Sequence, residues 1–264
     1  MADLVVCDMD GTLLDDNKRP SPLLPQTIEK LRERGIRFVI ASGRQYANIL
    51  ETVSPVVPDA IISENGALGF ERGLIFFAQT LSEEAISLPL KTLRAISGIS
   101  LVFAGINYAY VEDDNQEFLE NLARYYRQVR LVSNAQEAIA AAKDELCKIA
   151  CFDPYGAETN SYALCRKFSD RLEVSLSGEK WMDLSAPGTN KGVPLEKLQE
   201  KWNIHPERTI VIGDYPNDIG MMKRAAVRVA MGNAHPRLAA ICNAQAPSNR
   251  EDGVVRFLTV QFNL

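Results

Sequence analysis

The run Leu4-Val5-Val6-Cys7-Asp8-Met9-Asp10-Gly11-Thr12-Leu13 decides how the rest of this 264-residue chain is read. Its first four residues are apolar and two of them are β-branched, the pattern of a buried strand in a parallel sheet. The strand stops at Asp8-Met9-Asp10, two carboxylates with one residue between them, and Gly11 then permits a tight turn. Ligands of open α/β sheets gather at the carboxyl ends of the strands. Two carboxylates brought together there repel each other unless a cation neutralises them or one keeps a proton. Alone, D-x-D is an ordinary acidic turn, so its meaning depends on what stands downstream.

Outward from this stretch, the spacing predicts a helix over 24–34 closed by Gly35, a strand over 36–41 and then Ser42-Gly43-Arg44. A short helix over 45–53 follows. A strand over 61–63 runs into Glu64-Asn65-Gly66-Ala67, and a hairpin turns at Arg72-Gly73. Strand and helix alternate as in βαβ units of a parallel sheet. From Ser82 the rhythm changes to αββαβαβαββ, in which hairpins mix with crossovers. After Pro187-Gly188 the α/β alternation resumes, with helices over 191–202, 218–225, 236–242 and 253–258 and strands over 209–212 and 227–230. The expected fold class is α/β: a Rossmann-like core with a parallel sheet, built from residues 1–81 and 187–264, with an α+β domain inserted at 82–186.

Composition narrows the function classes. Apolar residues make up 46% of the chain, enough for a full core. The net charge is −5 with acidic and basic residues interspersed, which argues against a nucleic-acid-binding surface. No basic segment followed by an apolar one marks a secretory signal, and no apolar run is long enough to span a membrane, so neither export nor membrane attachment is expected. Cys7, Cys147, Cys151, Cys165 and Cys242 are odd in number and lack framework or zinc-site spacing, which points to reduced thiols and the cytoplasm. His205 and His235 each precede a proline near a helix start, and surface or capping roles suit them better than catalysis. No obligate protein partner is evident.

The chemistry gathers at four places. Asp8 ends a strand beside a flexible turn, where a cation-held carboxylate can act as a nucleophile. Asp10 is placed to serve as general acid and then base, a contribution of roughly 10²–10⁴ in rate. The Ser42 hydroxyl and the Gly43 N–H can bind a phosphate oxygen near the start of the following helix. Lys191 stands in the first turn of a helix, where the dipole disfavours a cation, so it needs a partner: a phosphate, Asp8, or both. Gly213-Asp214-Tyr215-Pro216-Asn217-Asp218 is another strand-end acidic cluster. There Asp214 can complete a magnesium site, Asn217 can donate to phosphate, and Asp218 can hold Lys191 or a water. Helix capping by Asp214 or Asn217 would account for one of these residues, not three.

In this order, Asp8 to Thr12, Ser42, Lys191 and Gly213 to Asp218 resemble the four motifs of haloacid dehalogenase (HAD) superfamily phosphatases. The long insertion between the second and third resembles the larger cap of the Cof-like hydrolases. Ser63-Glu64-Asn65-Gly66-Ala67, Met231-Gly232-Asn233-Ala234 and Ser248-Asn249-Arg250-Glu251-Asp252-Gly253-Val254 are further Cof-like stretches. The resemblance implies Asp8 as nucleophile and Asp10 as acid/base. It implies Mg²⁺ held by Asp8, the Asp10 main-chain carbonyl and Asp214, and a phosphoryl group bound by Ser42, Lys191 and Asn217. The fourth motif usually reads GDSxND; Tyr215-Pro216 fills its middle here, and Ser42 replaces the commoner Thr. The implied activity is Mg²⁺-dependent hydrolysis of small phosphorylated metabolites, such as sugar phosphates, through an aspartyl-phosphate, with the cap closing over the substrate. A phosphomutase of the same superfamily and a non-catalytic phosphosugar-binding protein are the alternatives. Substrate choice falls to the cap, where Asn107, Tyr108, Glu179, Trp181 and Asp183 are candidates, though each has a structural reading that fits better.

Overall fold

The structure, a computed structural model, describes residues 2–264. In chain order its elements begin β1 (Leu4–Asp8), α1 (Leu24–Glu33), β2 (Arg37–Ala41), α2 (Tyr46–Val53), β3 (Ala60–Ser63), β4 (Leu68–Glu71) and β5 (Leu74–Ala78). There follow α3 (Glu83–Arg94), β6 (Ser100–Gly105), β7 (Ala109–Val111), α4 (Gln116–Leu122), β8 (Val129–Leu131), α5 (Ala135–Ala142), β9 (Leu146–Phe152), α6 (Ser161–Cys165), β10 (Glu173–Gly178) and β11 (Trp181–Ser185). The chain ends with α7 (Gly192–Trp202), β12 (Thr209–Gly213), α8 (Ile219–Met222), β13 (Val227–Ala230), α9 (Pro236–Ala239), β14 (Ala244–Gln245) and α10 (Gly253–Phe262). Two compact units result: Met1–Phe77 with Asn190–Leu264, and Ala78–Thr189. The expected borders at 82 and 186 lie inside the second unit, because Gln79 Nε2 bonds the Pro187 carbonyl and Thr189 bonds Ala186, tying both flanks to it.

The first unit is a sheet in the order β14-β13-β12-β1-β2-β3-β4-β5. β1 pairs in parallel with both β12 and β2, so it has no free edge. Its residues are apolar on both faces for that reason. Val5 and Cys7 pack with Leu24, Ile28 and Leu31 of α1 and with Leu258 of α10. Leu4 and Val6 pack on the other face with Leu195 and Leu198 of α7 and the Met221-Met222 pair of α8. The chain winds from β1 through β2 to β3 on one side and from β12 through β13 to β14 on the other. The crevice at the ends of β1 and β12 is therefore the switch point where open α/β sheets bind ligands.

The second unit is a six-stranded sheet in the order β10-β11-β9-β6-β7-β8, with the expected alternation of helices and strands. Its central strands bury apolar residues on both faces. Helix α6 is shorter than its sequence suggests. The apolar spacing predicts a helix over 156–168, but the Asp153 carboxylate takes the Tyr155 and Ser161 N–H groups and the Asn160 amide and holds 154–160 in a loop. Helix α4 ends at Leu122, short of the 115–126 that the sequence suggests, and 3₁₀-type bonds such as Arg124 N–H to Asn121 O lead it into β8. β14 is only two residues long and went unpredicted. No helix among the described residues is long and apolar enough to cross a membrane.

Candidate active site

Asp8 closes β1 and is buried. Lys191 occupies the N-cap position of α7 and has no exposed surface. Its Nζ lies 2.5 Å from Asp8 Oδ1 and 2.8 Å from Asp218 Oδ1. Burial alone would make this lysine a weaker base, yet the Asp218 and Asp8 carboxylates raise its pKa above the usual value, so it stays charged. Asp218 spends its other oxygen on the N–H groups of Asp214 (3.1 Å) and Tyr215 (3.3 Å). The turn after β12 is thus fastened by Asp218, not capped by Asp214 or Asn217. Tyr215 stands half-exposed beside it, edge-on to the His235 ring. The imidazole Nδ1 of His235 caps α9, the capping role expected of it.

Asp214 faces Asp8 across the switch point. Its Oδ1 accepts from the Thr12 hydroxyl at 3.0 Å. Gly11 is required here: its φ is +79°, and a Cβ would come within 2.4 Å of the Asp214 carboxylate. Single oxygens of Asp8, Asp214 and Asp218 lie within 4.8 Å of one another. Burial, then the Asp218 charge, push the Asp214 carboxyl up to about 6. Burial also raises the pKa of Asp8 well above the usual range, with Asp218 and Asp214 adding to the effect and Lys191 opposing it. Three carboxylates against one ammonium leave a surplus of negative charge, and an all-oxygen donor set of this kind fits Mg²⁺. Asp218 is committed to Lys191 and the turn, so Asp8 and Asp214 are the carboxylates with oxygens to spare.

Asp10 is placed differently. Its side chain receives a two-pronged bond from Arg44, Nε to Oδ2 at 2.6 Å and Nη2 to Oδ1 at 2.7 Å, and Lys18 adds a contact of 2.9 Å. Burial works to raise its pKa, but the hydrogen bonds and charge of Arg44, with Lys18, hold the carboxyl below its ordinary range. Arg44 is itself buried and braced by Asn48 Oδ1 (2.9 Å) and the Thr52 hydroxyl (3.3 Å) of α2. Ser42 is buried at the end of β2, where its hydroxyl accepts from the Arg44 N–H at 3.2 Å. The Asn217 amide donates to Asn65 Oδ1 at 3.2 Å, and the Asn65 side chain lies against Gly43.

The structure therefore brings Asp8, Lys191, Asp214 and Asp218 into one cluster, sets Asp10 beside it in the grip of Arg44, and ties Asn217 and Gly43 together through Asn65. Thr12, Arg44 and Asn65 carry contacts that the reading of the motifs left unassigned. A basic residue directly after Ser42-Gly43 was the available signal for Arg44, and an Asn-Gly pair after a strand was the signal for Asn65. The two remaining motif-like stretches hold the loop after Asp10. Asn233 donates to the Gly11 carbonyl (2.8 Å) and accepts from the Asn249 N–H (3.1 Å), while the Asn249 amide donates to the Leu14 carbonyl (2.9 Å).

In the second unit the candidate selectors are engaged structurally. The Asn107 and Tyr108 N–H groups bond the Asp144 carboxylate, and Trp181 packs on Phe152 and Tyr125. Asp183 pairs with Lys148, and the Glu179 carbonyl accepts from the Ala157 N–H.

Known proteins resemble this chain over nearly its whole length. The family model for haloacid dehalogenase-like hydrolases matches residues 5–258. The 5-amino-6-(5-phospho-D-ribitylamino)uracil phosphatase YbjI of Escherichia coli is 29% identical, over 96% of this chain and 93% of its own. The Bacillus subtilis phosphatase YitU, named for the same substrate, is 26% identical over 99% and 98%. Among solved structures, that of SMU.1108c from Streptococcus mutans superposes with a TM-score of 0.88 at 24% identity, covering all of both chains.

Proposed function

Because the chain belongs to the haloacid dehalogenase-like hydrolases and is a phosphatase of that family, we propose that it is Mg²⁺-dependent and removes phosphate from small phosphorylated metabolites through an aspartyl-phosphate on Asp8. The observation that carries this reading is Asp8 itself: a buried carboxylate at the switch point, bonded by Lys191 and facing Asp214. Mg²⁺ would be held by Asp8, Asp214 and the main-chain carbonyl of Asp10, and when bound it supplies positive charge to the phosphoryl oxygens.

The remaining steps belong to the chain's own groups. Lys191, the Ser42 hydroxyl, the Gly43 N–H and the Asn217 amide bind the phosphoryl oxygens and fix the phosphorus in line with Asp8. A carboxylate oxygen of Asp8 forms the new P–O bond as the bond to the leaving oxygen breaks, and that oxygen takes a proton from Asp10. Water then attacks the Asp8 phosphate while Asp10 removes its proton, which restores both carboxyls and releases inorganic phosphate. Arg44 fixes where the Asp10 carboxyl stands for both halves. Asp218 supports the site by orienting Lys191 and the turn that carries Asp214.

The relatives support the substrate class, since two of them are named for a phosphorylated ribityl compound. A phosphorylated sugar or sugar alcohol is the closest chemistry. The second unit acts as the cap that selects it. All five cysteines are free thiols and four are buried, in keeping with a reducing compartment such as the cytoplasm. The test is Asp8→Asn, which keeps shape and removes the nucleophile. It should abolish release of phosphate from p-nitrophenyl phosphate; turnover near that of the parent protein would overturn the assignment. A screen of phosphorylated metabolites with and without Mg²⁺, scored by phosphate release, tests the substrate class and the metal together.

A further inference from the structure

The turn Glu64-Asn65-Gly66 follows β3 and takes no part in the chemistry described so far, yet it touches three of the loops that build the site. Its residues are left-handed in succession, with φ of 50°, 56° and 99°. Side chains rarely accept this conformation, and Asn is among those that tolerate it best. The unusual backbone puts the turn in contact with its neighbours. The Glu64 N–H bonds the Arg44 carbonyl (3.2 Å) and the Asn65 N–H bonds the Ser42 carbonyl (3.1 Å). Gly66 lies so close to the Asn190-Lys191 peptide that a Cβ would come within 2.3 Å of the Asn190 carbonyl oxygen. The Asn65 side chain completes the set: its Oδ1 accepts from Asn217 Nδ2 at 3.2 Å, and a Cβ on Gly43 would meet that same oxygen at 2.9 Å.

We propose that Asn65 is a positioning residue for the phosphoryl group, acting through Asn217 and Gly43. This rests on the reading of those two residues as phosphoryl-binding groups. A side-chain amide has two N–H donors on one end and an acceptor on the other. Asn65 Oδ1 takes one N–H of Asn217, which fixes the sense of that amide and leaves its second N–H for an anionic oxygen. Without Asn65 the Asn217 amide is free to turn over and present its carbonyl oxygen to phosphate, a repulsive contact. The same Asn65 side chain fills the space above Gly43 and sets how far that loop can shift from the phosphoryl position. Asn65 touches no reacting atom, so its effect reaches the substrate only through these neighbours.

Two substitutions separate this role from the backbone requirement. Asn65→Gly keeps the left-handed turn without strain and removes the amide, whereas Asn65→Ala removes the amide and adds strain. Each is measured in the full chain by thermal unfolding, by kcat and KM for p-nitrophenyl phosphate, and by the inhibition constant of inorganic phosphate. Asn65→Gly is expected to unfold near the parent temperature, while inhibition by phosphate weakens roughly tenfold and kcat/KM falls by a similar factor, the loss of about one charge-assisted hydrogen bond. A double-mutant cycle with Asn217→Ala gives the second readout: Asn65→Gly should cost less in the Asn217→Ala background than in the parent, since only the route through Gly43 remains. A stable Asn65→Gly protein with unchanged phosphate inhibition, impaired only when Ala replaces Gly, overturns the proposal in favour of a backbone role. Losses that multiply in the cycle overturn it as well. If the parent protein neither hydrolyses p-nitrophenyl phosphate nor binds inorganic phosphate, the reading of the site fails, and the inference falls with it.

Discussion

Lys191 Nζ lies 2.5 Å from Asp8 Oδ1, joining residues 183 positions apart in a fully buried contact. The lysine serves two carboxylates at once, Asp8 and Asp218. Lys191→Met therefore removes the cation from a cluster that keeps three carboxylates. Breaking one side of a buried ion pair costs roughly 3–5 kcal/mol, and losing a donor aimed at developing phosphoryl charge costs roughly 10²–10³ in kcat. Denaturant unfolding without metal and turnover of p-nitrophenyl phosphate measure the two effects. A stable, active Lys191→Met protein would remove Lys191 from the site.

The carboxylate cluster predicts how metal and pH interact. Asp214 has its carboxyl pushed up to about 6, chiefly by burial and then by Asp218. A carboxyl raised on folding favours the folded protein at pH values below its ordinary range, and that contribution is lost as pH rises through about 6. Asp8 is shifted in the same direction. Metal-free protein should therefore lose stability as pH rises from about 4 to about 6, and Mg²⁺, which needs the ionised carboxylates, should restore it. Melting temperatures with EDTA and with Mg²⁺, compared at about pH 5 and about pH 7, check this linkage. The rise in melting temperature on adding Mg²⁺ must be larger at the higher pH; equal shifts at both would separate Asp214 from metal binding.

Much of this site was legible before the structure because its parts sit at places a chain must mark locally. A strand apolar on both faces, ending in two carboxylates and a glycine, has few other readings, and β1 is indeed the central strand. Lys191 was conspicuous as a cation in the wrong turn of a helix. Partners chosen across space were harder. Nothing local to Asp10 announces that Arg44, 34 residues on, will grip its side chain, or that Asn48 and Thr52 will brace Arg44 from the next helix. Asn65 meets Asn217 over a separation of 152 residues. The shortening of α6 has the same origin: Asp153 captures the N–H groups of a loop that apolar spacing alone would continue as helix.

The grip of Arg44 on Asp10 predicts a dependence on the leaving group. If Asp10 protonates the departing oxygen, disturbing it matters most for alkoxides, which need that proton, and least for p-nitrophenolate, which leaves without it. Arg44→Lys keeps the charge but cannot supply the two-pronged bond. It is expected to lower kcat/KM more for a sugar phosphate than for p-nitrophenyl phosphate. Asn48→Ala should act in the same direction and more weakly, since it removes one brace at Arg44 Nη1, a contact of about 1–3 kcal/mol when buried, and leaves that of the Thr52 hydroxyl. Equal losses on both substrates would argue that Arg44 holds the fold of the loop and not the proton donor.

In the second unit, Lys148 and Asp183 form an ion pair at 3.3 Å with side chains 4% and 2% exposed. They project from adjacent strands, β9 and β11, into a face otherwise lined by Val102, Ala104, Ala150 and Trp181. A charge so placed is tolerable only while it is paired. Lys148→Met alone should destabilise the protein by roughly 3–5 kcal/mol by taking a cation from the buried Asp183, whereas Lys148→Met with Asp183→Leu should recover most of that loss. Urea unfolding followed by circular dichroism distinguishes the single from the double variant. The same pair decides whether Asp183 selects substrate. As a buried structural partner, Asp183→Asn should lower stability and leave the order of preferred phosphate esters unchanged; a reordered preference at parental stability would make Asp183 a specificity residue after all.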